Sequence, residues 1–206
     1  MAATDLLSLD DALAAVRLSA SHTTHVARLQ GYVSAVSAAV DELVGPVVVR
    51  TVTGEQHPGG CTAVRLRRTP VLSVTTVKTW SQGAATTLTA ESLSASGGYL
   101  AELHADNPSL LSGVLRRRSL WSTILWESGT VEVTYQAGRY ANTAAVAGTR
   151  FHTAAVLALQ NLWQGVADSV AVVNEFEQPV SAFPAVVLPR AVRDLLWSDI
   201  QYRGLG

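Results

Sequence analysis

His57 and Cys61 come nearest to a chemical pair in this chain. Both residue types ligate soft divalent ions, but two ligands do not close a tetrahedral site. As a nucleophile, Cys61 needs a base such as His152 brought to it by the fold. Its alternation within a predicted strand makes it a small buried thiol instead. His22 and His25 stand close together, yet no Cys or carboxylate lies at ligand spacing beside them, and a solvated helix start accounts for both. Gly59-Gly60 and Gly97-Gly98 read as turn glycines. Neither pair opens a helix after a strand, so neither makes a phosphate loop or a dinucleotide fingerprint. There is no GxSxG, no HExxH and no pair of carboxylates placed as an acid/base couple. The expectation is a protein that is not an enzyme, with no catalytic residue, no cofactor and no metal.

Two basic clusters remain, Arg65/Arg67/Arg68 and Arg116/Arg117/Arg118. Such runs face phosphates, an acidic protein surface or plain solvent. The whole chain carries 15 Lys and Arg against 16 Asp and Glu, a net charge of −1. A dedicated nucleic-acid binder shows a clear basic excess. Arg67, Arg68, Arg116, Arg117 and Arg118 are therefore expected at a subunit or partner interface. Lys78 is the only lysine; Arg has the planar fork favoured at interfaces, although GC-rich coding accounts for the same bias.

Hydrophobic residues make up 48% of the 206, enough for a sizeable core, and charged residues only 15%. A surface this poor in charge fits a subunit covered by its neighbours. The single cysteine allows no intrachain disulfide. Met1 to Asp5 has neither the basic region nor the apolar core of a signal peptide, and no apolar run is long enough to span a bilayer. A soluble, intracellularly made protein with no membrane contact is expected.

The elements that must position these residues fall into three blocks. Ser8 is an N-cap with Asp10 and Asp11 in the first turn, predicting a first helix over 8–19. Val26, Leu29, Val33, Val36, Val40 and Leu43 make the apolar stripe of a second helix over 23–44, closed by Gly45-Pro46. A β-rich insert follows over 47–136. Its predicted strands are Val47–Thr53, Cys61–Leu66, Val71–Trp80, Thr86–Leu93, Tyr99–Leu103, Leu120–Trp126 and Thr130–Tyr135, with Gly54–Gly60 a turn and most of His104–Leu120 a loop. Asn142 or Thr143 caps a long helix over 142–163, with Val146, Phe151, Ala155, Leu159 and Leu162 as its stripe. The core thus runs over 1–165. An arm over 166–206 is segmented by Pro179, Pro184 and Pro189 and carries a short helix over 190–197. The arm is too apolar to hang freely in water: it packs back on its own domain or docks on a partner. The fold class expected is α+β: mainly a helical bundle of two N-terminal helices and one long C-terminal helix, with an inserted antiparallel β-sheet and an extended C-terminal arm.

Four segments resemble the head-to-tail connector (adaptor) proteins of tailed bacteriophages. Leu9-Asp10-Asp11-Ala12-Leu13-Ala14-Ala15-Val16-Arg17-Leu18 is similar to the opening helix of that family. The helix ending in Val44-Gly45 resembles its long packing helix. Leu66-Arg67-Arg68-Thr69-Pro70-Val71-Leu72-Ser73-Val74-Thr75-Thr76-Val77 resembles its Pro-Val strand. Val131-Glu132-Val133-Thr134-Tyr135-Gln136-Ala137-Gly138, followed by a helix, is similar to its closing strand and helix. The likeness runs over roughly 6–164; the stretch 84–126 and the tail after Trp163 are longer than in the shorter members.

The resemblance implies a structural virion protein of the neck, assembled in the bacterial host cytoplasm. It implies a homo-oligomeric ring, usually of twelve copies, beneath the portal protein, with a stopper or tail-completion protein on its other side. DNA would pass through the channel without sequence-specific binding. The portal contact is expected in the arm, on Arg190, Arg193, Leu195, Leu196, Trp197, Ile200, Tyr202, Arg203 and Leu205. The alternatives are another neck or tail-completion subunit, or a DNA-binding regulator reading through the helices of 8–44. For the latter, Arg17, Arg28 and His25 are a thin supply of contacts.

Overall fold

The computed structural model describes residues 2–21, 23–81, 83–90, 98–105, 107–119, 122–171 and 188–200, with the backbone alone for 166–171. The chain divides into two compact units. One joins Met1–Val48 to Tyr140–Gly206; the other is Val49–Arg139.

In the first unit, helix α1 (Leu9–Val16) starts at Ser8. The Ser8 hydroxyl accepts from the Asp11 N–H at 3.1 Å, and the Asp11 carboxylate answers the Ser8 backbone, so both halves of a capping box are made. The long stripe of α2 (Thr23–Val44) buries Leu29, Val33, Val36, Val40 and Val44, with Val26 and Leu43 partly buried. Gly45 then takes φ +78°, the left-handed turn that ends it. The buried Asp41 carboxylate accepts from the Val47 N–H at 2.9 Å, and Val48 bridges Tyr140 where the chain leaves and re-enters the unit.

The helix expected over 142–163 is broken near its start. Asn142 caps a single turn, α3 (Thr143–Val146). Gly148 at φ +76° interrupts the backbone, and α4 (Arg150–Ala171) begins afresh after Thr149. Val146, Phe151, Ala155 and Leu159 are buried as the stripe requires. Helix α5 (Arg190–Leu195) and a 3-10 turn (Trp197–Asp199) close the unit. Val192 and Leu196, one helical turn apart, lie in the same core as α1, α2 and α4.

The second unit is an eight-stranded antiparallel sheet: β1 (Arg50–Pro58), β2 (Ala63–Arg65), β3 (Val71–Ser81), β4 (Ala84–Leu88), β5 (Gly98–Leu103), β6 (Leu111–Ser119), β7 (Ser122–Ile124) and β8 (Thr130–Ala137). The main order is β1-β8-β3-β6-β2, with β4 beside β3, and β5 and β7 beside β6. Its core is Val64, Leu66, Val71, Val77, Leu88, Tyr99, Leu115, Trp126, Val131, Val133, Tyr135 and Ala137.

This overturns the expectation of a mainly helical bundle carrying an inserted sheet. Strand makes up about 35% of the chain, and only three helices among the described residues reach seven residues. The excess strand comes from two stretches whose pattern is broken. Gly54–Gly60 was expected as a turn, but Gly54 at φ +65° forms a bulge and β1 continues to Pro58. His104–Leu120 was expected mostly as loop, yet nine of its residues are β6, buried at Gly113 and Leu115. Three successive arginines hide that alternation from a hydrophobicity reading.

Candidate functional site

The bulge at Gly54 shifts the register of β1 by one residue, so Glu55 opposes Val133 and His57 opposes Val131 on the core face of the sheet. Two polar side chains, 8% and 9% exposed, thus sit where strand alternation places valines. They are satisfied by each other and by their neighbours. Glu55 Oε1 lies 2.7 Å from His57 Nε2 and accepts from the Arg67 N–H at 2.9 Å. Glu55 Oε2 accepts from the Tyr135 hydroxyl at 2.7 Å. That hydroxyl in turn accepts from the Arg68 N–H at 3.1 Å.

Burial alone raises the Glu55 carboxyl. The donors from His57, Arg67 and Tyr135 outweigh it and hold the group below the ordinary glutamate value. Tyr135 moves up, first through burial and then through the carboxylate it faces, and stays a neutral donor. The cluster has no open position for a reacting atom. Its physical effect is to fix the backbone of the turn between β2 and β3.

That turn presents the first arginine cluster. Val64 and Leu66 are buried while Arg65, Arg67 and Arg68 are exposed. Leu66 N–H donates to Gly113 O at 2.8 Å, and Gly113 is packed so closely under Thr69 that a Cβ there would sit 2.7 Å from the threonine methyl. The turn is therefore held from β1, β8 and β6 at once.

The second cluster does not act as one patch. Arg116 and Arg117 are successive residues of β6 and point to opposite faces. Arg116 is paired with Glu102. Arg117 goes inward, only 12% exposed, and donates to Gly98 O at 2.7 Å with Glu127 at 3.9 Å. It anchors β5 rather than meeting a partner. Arg118 shares the outward face of Arg116.

The expected arm residues also separate. Arg190, Arg193 and Trp197 surround a hollow of about 430 Å³ with Leu188 and Asp194. Arg190 and Asp194 form a solvated pair at 3.8 Å. Leu195 is exposed and Ile200 half-buried, whereas Leu196 is wholly buried in the helical core. Arg150 fastens the end of this segment through Ser198 at 2.8 Å and Asp199 at 2.9 Å. Tyr202, Arg203 and Leu205 lie outside the described residues, as does His22.

Cys61 precedes β2 rather than alternating within it, and is half-buried with its thiol 3.5 Å from Pro58 O. His152 lies instead 3.5 Å from Asp11, within the helical unit. Among the described residues no group of three His, Cys, Asp or Glu is arranged to hold a metal ion, and no helix is long and apolar enough to cross a membrane. Sequence reasoning passed over Glu55 and Tyr135. The signal available was Glu55-x-His57, two polar residues sharing one strand face; reading it required extending β1 through a glycine.

No protein-family model and no curated protein matches the chain. Its fold is similar to that of a solved chain described as "Neck of empty GTA particle computed with C6 symmetry". The TM-score is 0.56 at 15% identity, covering 100% of this chain and 96% of that one.

Proposed function

We propose that this chain is a structural subunit of the neck of a phage-like particle. The observation that carries the reading is a likeness spanning the whole of both chains, helical unit and sheet unit together, with a component of a particle neck. A fold shared at 15% identity supports architecture first. The sequence adds a charge-poor surface suited to burial between neighbours. The four segments resembling head-to-tail connectors point the same way, although one of the expectations built on them, a mainly helical fold, has been corrected.

In the finer form of the proposal, the chain forms a ring of twelve around a channel for DNA, touching the portal on one side and a stopper or tail-completion protein on the other. The six-fold symmetry printed for the similar neck is compatible with twelve copies. The α5 face offers Arg190, Arg193 and Trp197 to the portal. The role is one of positioning, with no bond-making step assigned to any residue, and the assembly takes place in the host cytoplasm before the chain becomes part of the virion.

Cryo-EM of particles carrying an affinity-labelled copy tests this. The expected result is label in a ring at the vertex between head and tail. Label at the tail tip, or particles complete without the chain, overturns it. Label in the neck but away from the portal supports the tail-completion alternative. Removing 190–206 then separates the levels: lost portal binding by a folded chain supports the α5 assignment, and unchanged binding rejects it.

A further inference from the structure

The charges of this chain are segregated by unit. Val49–Arg139 holds nine Lys and Arg against six Asp and Glu, whereas the rest holds six against ten. A near-neutral total therefore conceals a basic sheet unit and an acidic helical unit. The basic excess has a definite place on the sheet. Arg65 and Arg67 share the outward face of the chain at β2, since Val64 and Leu66 between them are buried. The register Ala63↔Arg116 and Arg65↔Val114 makes Arg65 and Arg116 diagonal neighbours on that same face. Diagonal positions lie ~7–8 Å apart. Arg116 is neutralised by Glu102, but Arg65, Arg67 and Arg68 have no carboxylate within ion-pair distance among the described residues.

These three guanidiniums stand on a preorganised backbone. Glu55 holds the Arg67 N–H, Tyr135 the Arg68 N–H and Gly113 the Leu66 N–H. A rigid support lowers the ordering cost of binding. It also differs from a solvated charge run on a loose loop, which gains nothing from a buried carboxylate beneath it.

We propose that the Arg65/Arg67/Arg68 turn docks against the acidic helical unit of a second copy of this chain. This rests on the reading of the chain as a self-assembling subunit. The occupant follows from the charge complementarity: every copy carries both a basic sheet unit and an acidic helical unit in equal number. A contact between unlike surfaces is heterologous, and repeated head to tail it closes into a ring when the rotation permits. In the helical unit the exposed Asp10 and Glu42 make no ion pair among the described residues and are available to receive the arginines. Pairs of this kind steer and register the encounter, with apolar and backbone contacts supplying the rest.

The test is assembly of the full chain, followed by mass photometry and sedimentation at 50 and 500 mM salt, for wild type, R65E/R67E/R68E and D10K/E42K. Circular dichroism checks folding; all five side chains are exposed, and the Arg67 and Arg68 amides survive substitution. The expected result is salt-sensitive oligomers for wild type and, for each variant alone, an assembly midpoint raised about tenfold or more. An equimolar mixture of the two variants should recover assembly, because the reversed patch of one meets the reversed acids of the other. Assembly of the arginine variant at the wild-type midpoint, or a mixture that fails to recover, overturns the proposed surface and leaves the neck reading standing. A wild type that is monomeric at every concentration overturns both. Salt-dependent duplex DNA binding lost in the arginine variant, with assembly unchanged, overturns the proposal in favour of a phosphate partner.

Discussion

The helical unit and the sheet unit solve the problem of a core in different ways. The helical core is aliphatic and small: Leu29, Val33, Val36, Val40, Ala154, Ala155, Ala158 and Leu159 interdigitate with no ionisable side chain among them. The sheet core keeps an apolar centre around Val131, Val133 and Trp126 but carries Glu55, His57 and Tyr135 on the same face. A buried carboxylate costs free energy unless every oxygen is met, and here both are. The difference teaches where rigidity is placed. Apolar packing tolerates small readjustments, whereas a satisfied polar cluster fixes one backbone arrangement. In this molecule the cluster lies under the arginine turn.

The largest effect expected is on the side that depends on packing alone. Leu159→Ala in α4 leaves a cavity in a fully buried site and should cost ~2–5 kcal/mol in urea unfolding. The comparison is sharpened by measuring the loss at pH 7 and pH 4.5. It should be the same at both, since no ionisable group belongs to that core; a loss that shrinks in acid would break the contrast.

Next is Tyr135→Phe, which keeps the shape and removes one hydroxyl. Glu55 loses one donor and the Arg68 N–H loses its acceptor, a cost of ~1–3 kcal/mol. Amide exchange should accelerate at Arg67 and Arg68 more than in the centre of β8. A cost of only a few tenths of a kcal/mol would show that the sheet unit is as purely apolar in its energetics as the helical one.

The same contrast explains what the sequence could disclose. Helices α1, α2 and α4 were legible because their stabilising residues recur at helical spacing, and Ser8, Gly45 and Asn142 mark their ends with local chemistry. The break at Gly148 was within reach, as glycine inside a helical pattern weakens it. Strands β3, β5 and β8 followed from alternation. The rest of the sheet was hidden where polar residues face inward. A bulge reverses which residues of β1 point to the core, and Arg117 takes an inward position in β6 that looks solvated in the sequence. Both are decided by partners far along the chain, Tyr135 for Glu55 and Gly98 for Arg117, so no local window contains them. The arginine turn was singled out as a cluster of types; its fixed backbone was not legible, because the acceptor for Arg67 stands twelve residues earlier.

A pH titration exposes the contrast directly. Glu55 has a folded-state value below its unfolded one, so its contribution is fully present above the unfolded value of about 4.3 and is lost as pH falls through the folded one. Wild type should therefore lose stability below about pH 5. Glu55→Gln should start lower at neutral pH and fall less steeply, the two curves converging in acid. Parallel curves would mean that the carboxylate is not bound more tightly in the folded state.

The smallest effect belongs to the helical unit's own titrating pair, at its surface. Asp11 is held below the ordinary aspartate value first by the Ser8 hydroxyl at 2.6 Å, against a desolvation effect, and then by the Ser8 backbone and His152. The sign is the same as for Glu55, but the Asp11 side chain is 43% exposed, so solvent screens it. Ser8→Ala removes the cap and should cost ~1 kcal/mol. It should also erase most of the acid dependence due to Asp11, because the strongest hydrogen bond to its charged form is gone. Comparison of Ser8→Ala with Glu55→Gln in one pH series then ranks the two units. A slope change larger for Ser8→Ala than for Glu55→Gln would place the main acid sensitivity in the capping box instead of beneath the arginine turn, and with it the rigidity on which the docking of that turn depends.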